Sequence, residues 1–325
     1  MGGDHAPAAM VEGAARAVRE GIPVVLVGQP EAIGREITLL GAGNLNIPVV
    51  PAARFVSMAN HATEARRDSG LSINVAIKLV RQGKASAVVA QGHTGATLVS
   101  AIFGLGRLTG VERPAIVADL PTRRGRLAFL DVGANADVRP QYLRAFALMG
   151  SAYAKAMQGV SDPTVGLLSI GEEEGKGNAL VVEAYEVLEA TSGLNFRGNV
   201  EGRDVFAGTT DVIVTDGFTG NVALKLAEGE ARAIMGWIKD ALTSRGMLMK
   251  LGALLVRPAL KAVASRLDPA EYGAQPLLGV NGLVFIGHGS SDARAVLGAL
   301  RTAQRAVNAD LLGRVKAELE GSLQP

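Results

Sequence analysis

The chain has 325 residues, 48% of them hydrophobic and 20% charged, with 33 Lys and Arg against 31 Asp and Glu and a net charge of +2. This composition supports a substantial core and excludes a disordered chain, and a charge near zero makes no general case for nucleic-acid binding. The absence of Cys removes disulfides, thiolate nucleophiles, iron–sulfur clusters and Cys-based zinc sites.

MGGDHAPAAM opens without a basic segment and an apolar run, so no signal peptide is expected. No stretch reaches the roughly 18 uninterrupted apolar residues of a membrane span, so a soluble or surface-attached protein is expected. GGDHAP has the form of a loop that follows a strand, although the chain starts at Met1. Either the start is truncated or this edge of the sheet is built differently.

Short β-branched runs predict strands at Ile22–Gly28, Ile47–Pro51, Ser86–Gln91, Ala115–Leu120, Leu127–Val132, Thr164–Ile170, Asp211–Thr215 and Leu283–Gly287. Helical spacing marks Val138–Met157, Ala179–Ala190 and Asp292–Glu320, and Val222–Ala274 reads as a long helical excursion without a strand. Strands that alternate with helices and are apolar on both faces predict an α/β fold, a mostly parallel sheet flanked by helices. We expect a single α/β domain over residues 1–325 with the excursion at 222–274 within it.

Five glycine-containing polar loops follow predicted strands: Gly92–Ala96, Gly133–Asn135, Gly171–Asn178, Asp216–Asn221 and His288–Asp292. Placed at one end of the sheet, they would line one cleft.

Gly171–Asn178 is not a Walker A loop, because three residues separate Gly171 from Gly175 and Gly177 stands where Ser or Thr should be. A glycine loop opening a helix still offers backbone N–H groups, and Lys176 adds a cation, so phosphate binding and an exposed turn with Lys176 paired to Glu172 or Glu173 both remain open. Gly104, Gly106 and Gly110 follow a helix rather than a strand and read as a glycine-rich helix end. His5, His61, His93 and His288 are the only histidines, and no metal-ligand spacing exists, so no metal and no cofactor are expected. His61 reads as an exposed loop residue, and Asn221 as either a donor or a helix cap.

Ser244–Leu267 carries Arg245, Lys250, Arg257, Lys261 and Arg266 and no acidic residue, set among Leu254, Leu255, Val256 and other apolar residues. Such a segment suits an anionic membrane surface, an acidic partner or a dimer contact.

MGGDHAP, GHTGA, RPAI, LDVGAN, GEEEGKGN, GNVEGRD, DGFTGNVALK, EYGAQPLLGVNG and HGSS occur here in the order seen in bacterial phosphate acyltransferases, which the chain resembles from Met1 to beyond Ser291. Two departures stand out: this family usually has a strand before GGDHAP, and its GNTGA loop has Asn where this chain has His93. The resemblance implies a fold like isocitrate and isopropylmalate dehydrogenases and phosphotransacetylases, with a protruding helical arm. It implies transfer of a fatty acyl group from acyl carrier protein to inorganic phosphate in phospholipid synthesis, by a homodimer associated with the inner face of the cell membrane. The product would feed a membrane glycerol-3-phosphate acyltransferase.

On that basis Lys176, with the backbone of Gly175, Gly177 and Asn178, is expected to hold phosphate, and Asn221, with Gly220, to donate to the oxyanion. Asp4, His5, His93, Thr94, Gly95, Asp131, Asn135, Asp216, Thr219, His288 and Ser290 are candidates for binding the substrates. Arg245, Lys250, Arg257 and Lys261 would steer the acidic carrier, while Leu254, Leu255 and Val256 would meet the lipid. A phosphotransacetylase acting on acyl-CoA is the rival enzyme reading, and a non-catalytic acyl-carrier binder or membrane-docked scaffold is the rival of another class. A dehydrogenase is the least suited, for lack of a dinucleotide fingerprint and a metal-binding acidic cluster.

Overall fold

Apolar strands of three to seven residues assemble one eight-stranded sheet and, beside it, a two-stranded one. These are seen in a computed structural model, which describes all residues except 58–59, 244–245, 269, 271–272 and 323–325, and all side chains but those of 246–251 and 267 besides. Arg245 and the Lys250 side chain therefore lie outside the described part.

The strands are β1 (Leu26–Gly28), β2 (Val49–Pro51), β3 (Ala87–Gln91), β4 (Ala115–Pro121), β5 (Arg126–Leu130), β6 (Thr164–Leu168), β7 (Asn195–Val200), β8 (Val212–Val214), β9 (Gln275–Leu278) and β10 (Leu283–Gly287). β1 and β2 pair parallel to each other, and the large sheet runs β3-β10-β9-β4-β5-β8-β6-β7. Two of these strands, β7 and β9, escape the sequence pattern. NFRGNV alternates poorly, and QPLL is short and carries a proline, which normally argues against a central strand.

The large sheet is mostly parallel, as expected, but antiparallel pairings at β9 and β4 keep the polar loops from sharing one end. β3 and β10 are parallel, β9 is antiparallel to both β10 and β4, and β4 is antiparallel to β5. β5, β8, β6 and β7 then run parallel to one another. The loops after β3 and β10 consequently lie at one end of the sheet, and those after β5, β6 and β8 at the other. The physical cause is a tight hairpin between β4 and β5, closed by Thr122 N–H to the Gly125 carbonyl at 3.0 Å. The four residues between β4 and β5 cannot carry a parallel crossover.

The helices are α1 (Ala8–Arg19), α2 (Pro30–Leu39), α3 (Ser72–Arg81), α4 (Thr94–Leu105), α5 (Pro140–Tyr153), α6 (Ala179–Glu189), α7 (Gly217–Thr243), α8 (Gly246–Leu267), α9 (Ala293–Asn308) and α10 (Leu311–Gly321). The expected single helix at Asp292–Glu320 is broken at Asp310, whose φ of 49° ends one helix while its carboxylate caps the next. Gly106 ends α4 with a φ of 79°, as a glycine-rich helix end should. α5 buries Leu143, Phe146, Met149 and Tyr153 on one face of the sheet, among Val117, Leu130 and Val165. The other face packs Ile116, Ala118, Phe129 and Ile286 beneath Leu224 of α7.

The GGDHAP loop sits at the carboxyl ends of β3 and β10, where Asp4 N–H donates to the Gly289 carbonyl at 2.8 Å. A Cβ at Gly3 would stand 2.8 Å from the Gln91 carbonyl oxygen, so only glycine fits there. Between β1 and β3 lies a cavity of about 670 Å³ bordered by Val25, Val27, Val88 and Ala90. α7 and α8 pack on each other, and Leu254, Leu255 and Val256 of α8 are exposed.

Candidate active site

Asp131 follows β5 and organises the loop behind it. Its Oδ1 accepts from the N–H groups of Ile116, Gly133 and Ala134 at 3.0, 3.2 and 3.1 Å. Its Oδ2 accepts from Asn135 N–H at 2.8 Å and Asn135 Nδ2 at 2.9 Å. The residue is wholly buried. Burial holds its carboxyl pKa above the usual carboxylate value, and the hydrogen bonds offset only part of that rise. Contrary to expectation, Asp131 has no surface for a substrate, and its part is to shape the loop. Asn135 is committed in the same way, its Nδ2 also reaching the Pro114 carbonyl at 2.7 Å.

α7 starts against this loop. Asp216 caps it, accepting from Thr219 N–H at 2.8 Å and Thr219 Oγ1 at 2.7 Å. Gly217 N–H donates to the Asn135 carbonyl at 2.7 Å. A Cβ on Gly220 would fall 1.9 Å from the Asp131 carbonyl oxygen, so glycine is required for the helix to come this close. Asn221 is no cap: it sits within the first turns of the helix and donates Nδ2 to the Val132 carbonyl at 2.9 Å. That bond uses one amide hydrogen and leaves the other, with Oδ1, on a residue that borders the cavity between α7 and the sheet.

One turn further along α7, Lys225 Nζ lies 3.0 Å from Glu228 Oε2 and 3.4 Å from His288 Nε2. His288 follows β10, from the opposite end of the sheet. Burial lowers its pKa first and the Lys225 ammonium lowers it further, so the imidazole is neutral near neutral pH. Lys225 and Glu228 were not anticipated as site residues. The i, i+4 spacing of Asn221 and Lys225 puts both on one helical face and was the available signal.

Between α7 and the sheet lies a cavity of about 380 Å³. Thr94, Gly133, Asn221, Lys225 and His288 border it, so four of the five polar loops contribute. The apolar walls include Ile116, Ala118, Leu120, Val132, Leu224 and Ile286. This cleft does not need all loops at one end, because α7 itself crosses from one end of the sheet toward the other.

The fifth loop stands apart from the lining. Lys176 is exposed, and its backbone is held by Ser169 Oγ on the carbonyl at 2.9 Å and by its own N–H on the Glu173 carbonyl at 3.0 Å. Gly175 beside it is exposed too, while Gly177 is half-buried in a conformation with φ of 124°. Asn178 caps α6 through Val181 N–H at 3.0 Å. Glu172 pairs with Arg203 at 3.1 Å, not with Lys176. Lys176 and Asn221 do follow neighbouring parallel strands, β6 and β8, at the same end of the sheet.

His93 is the clearest departure among the histidines. Its Nδ1 accepts from Ala96 N–H at 3.2 Å as the cap of α4, and its Nε2 lies 3.1 Å from the Asn60 carbonyl. Both ring nitrogens are thus engaged within the protein, and His93 holds the loop that carries Thr94 and Gly95. Asp4, His5, Thr219 and Ser290 are exposed outside the cavity lining, and His61 is exposed at the start of a short helical turn. Among the described residues, no three His, Asp or Glu side chains cluster as metal ligands.

The model of a family described as fatty acid synthesis protein matches residues 1–314. The phosphate acyltransferase of Thermus thermophilus is 58% identical over 319 residues, covering 98% of this chain and 96% of that protein. That of Heliobacterium modesticaldum is 47% identical over 328 residues, covering 100% and 97%. Among solved structures, a phosphotransacetylase from Streptococcus pyogenes superposes with a TM-score of 0.63 at 20% identity, over 93% of this chain and 92% of its own, which speaks for the fold alone. The chain therefore belongs to the fatty acid synthesis protein family, together with the phosphate acyltransferases of these bacteria.

Proposed function

We propose that this cleft transfers a long-chain acyl group from the thioester of acyl carrier protein to inorganic phosphate, giving acyl phosphate for phospholipid synthesis. The observation that carries this reading, beside the family, is the polar rim of Asn221, Lys225 and His288 opening directly on an apolar cavity. A phosphate oxygen attacks the thioester carbonyl carbon, forming a C–O bond and an oxyanion. Collapse breaks the C–S bond, and the proton of hydrogen phosphate passes to the departing thiolate. Phosphate is already anionic and the thiolate leaves well, so no acyl-enzyme is needed, and the protein supplies position and charge.

In this scheme Asn221 donates its remaining amide hydrogen to the oxyanion. Lys176, from the loop after the neighbouring strand, brings phosphate to it, and Lys225 balances the charge that develops beside His288. The exposed cations Arg257 and Lys261 of α8 attract the acidic carrier, with Arg245 and Lys250 in the same basic run. Leu254, Leu255 and Val256, at 62%, 80% and 43% exposure, insert into an anionic membrane surface. No helix among the described residues is long and apolar enough to cross a membrane, so attachment would be peripheral, on the cytoplasmic face. A membrane glycerol-3-phosphate acyltransferase would take up the product, and a homodimer would cover the apolar residues Phe218, Val222 and Leu226 exposed on α7.

The test is turnover of palmitoyl-carrier protein with inorganic phosphate, with acyl phosphate trapped by hydroxylamine. Phosphate-dependent product that falls sharply in Lys176→Ala supports the reading. Product from palmitoyl-CoA alone would assign the chain to phosphotransacetylase chemistry, and no product from either donor would overturn acyl transfer.

A further inference from the structure

The cavity under α7 does more than adjoin the rim: it passes through the sheet. β9 pairs with β4 only at Ala115↔Leu278 and Ile116↔Leu277. Beyond Ile116, β4 continues to Pro121 with β5 as its only partner, while β9 stays with β10 as far as Gln275. The two strands part, and the gap between β4 and Gly273–Gln275 belongs to the cavity. The lining accordingly includes Ile116, Ala118 and Leu120, which face α7, and Val117 and Tyr153, which belong to the core on the other side. Small side chains keep the passage open: Ala227 and Ala231 on α7, Ala118 on β4 and Ala274 across the gap.

Its charge distribution says what can enter. Asp119, paired with Arg126 at 2.7 Å, lies at the inner end beside buried Tyr153, and Glu228 lines the α7 wall with only 12% of its side chain exposed. Both acids are already ion-paired and leave no unpaired charge to hold an ionic group, and the apolar walls favour a chain without charge. Lys225 and the Asn221 amide stand at the rim, beside His288.

We propose that this passage is the acyl-chain channel: the thioester carbonyl stops at Asn221 and the chain runs beneath Ala227 and Ala231 into the parting of β4 and β9. The inference rests on the acyl-transfer reading above and adds the residues that measure chain length. Each methylene that loses its burial costs about fourfold in specificity. Filling the channel from α7 therefore penalises long chains selectively.

The experiment compares kcat/KM for hexanoyl- and palmitoyl-carrier protein in the wild type, Ala231→Phe and Ala227→Phe. It also measures binding of cis-parinaric acid, a fluorescent 18-carbon chain, by each protein. Both alanines are only partly buried and lie on a helix with a solvent-facing side, so either substitution can be housed without the core. The hexanoyl-to-palmitoyl ratio should rise at least tenfold in each variant, and parinaric acid binding should weaken by a similar factor. An unchanged ratio with undisturbed parinaric acid binding overturns the channel while leaving acyl transfer in place. Should no protein make acyl phosphate, parinaric acid binding that is lost in both variants still upholds the channel, and binding indifferent to them rejects it.

Discussion

Lys225 Nζ lies 3.4 Å from His288 Nε2, and this contact joins two groups of strands that run in opposite directions. His288 follows β10, and Lys225 rides on the helix that follows β8. The two can meet because α7 lies across the sheet instead of standing over its own strand. Glu228 completes the group, 3.0 Å from Lys225 and 3.6 Å from Arg232. A half-buried carboxylate between two cations holds Lys225 in place beside the cavity.

This arrangement has a signature in pH. The folded pKa of His288 is depressed, so between that value and the ordinary imidazole value of 6.5 the unfolded chain binds more protons than the folded one. Stability contributed by this residue is thus complete above pH 6.5 and is lost as pH falls through the depressed folded value. His288→Gln should show a smaller drop in Tm between pH 7 and pH 5 than the wild type. Equal drops in the two proteins would mean that the imidazole does not carry the effect.

Asn221→Ala should lower kcat by about 10²–10³, the usual cost of removing one oxyanion donor. The side chain also holds the Val132 carbonyl, so a modest loss of stability should accompany the loss of rate. Steady-state acyl phosphate formation measures the first and thermal unfolding the second. Near-normal turnover would remove Asn221 from the chemistry.

Asp131→Asn tests the loop's framework, not the reaction. The amide replaces one acceptor oxygen by a donor that faces backbone N–H groups, in a place closed to water. About 3 kcal/mol of stability should be lost, as expected when buried donors go unsatisfied. Urea unfolding gives the value, and a loss well below 1 kcal/mol would show that the loop finds other partners.

Leu254→Glu should abolish most binding to anionic vesicles, because it puts a charge where an apolar side chain is exposed on α8. Cosedimentation with phosphatidylglycerol vesicles measures this, with at least a tenfold fall expected. Unchanged binding would place the membrane contact elsewhere.

Much of the fold could be read from short apolar runs and glycine loops, because strand length, helical period and turn chemistry are local properties. Asp216 to Asn221 illustrates this: the strand, the cap and the glycine that allows close approach are adjacent in sequence. Strand direction was legible only in the six residues between Leu120 and Leu127, too few for a helical crossover. β7 and β9 were not legible, since their pairing comes from neighbours rather than from their own residues.

The sequence by itself determined the α/β class, most of the strands and helices, the loop residues around Asp131 and Asn221, and the family. Only the tertiary structure decided which of these residues share a cavity. It enclosed Asp131, occupied both nitrogens of His93, left Lys176 outside the lining and brought Lys225 to His288 across 63 positions. The reason is physical: a motif reports local backbone and side-chain chemistry, whereas burial and the company of a charge depend on how distant strands and one long helix cross.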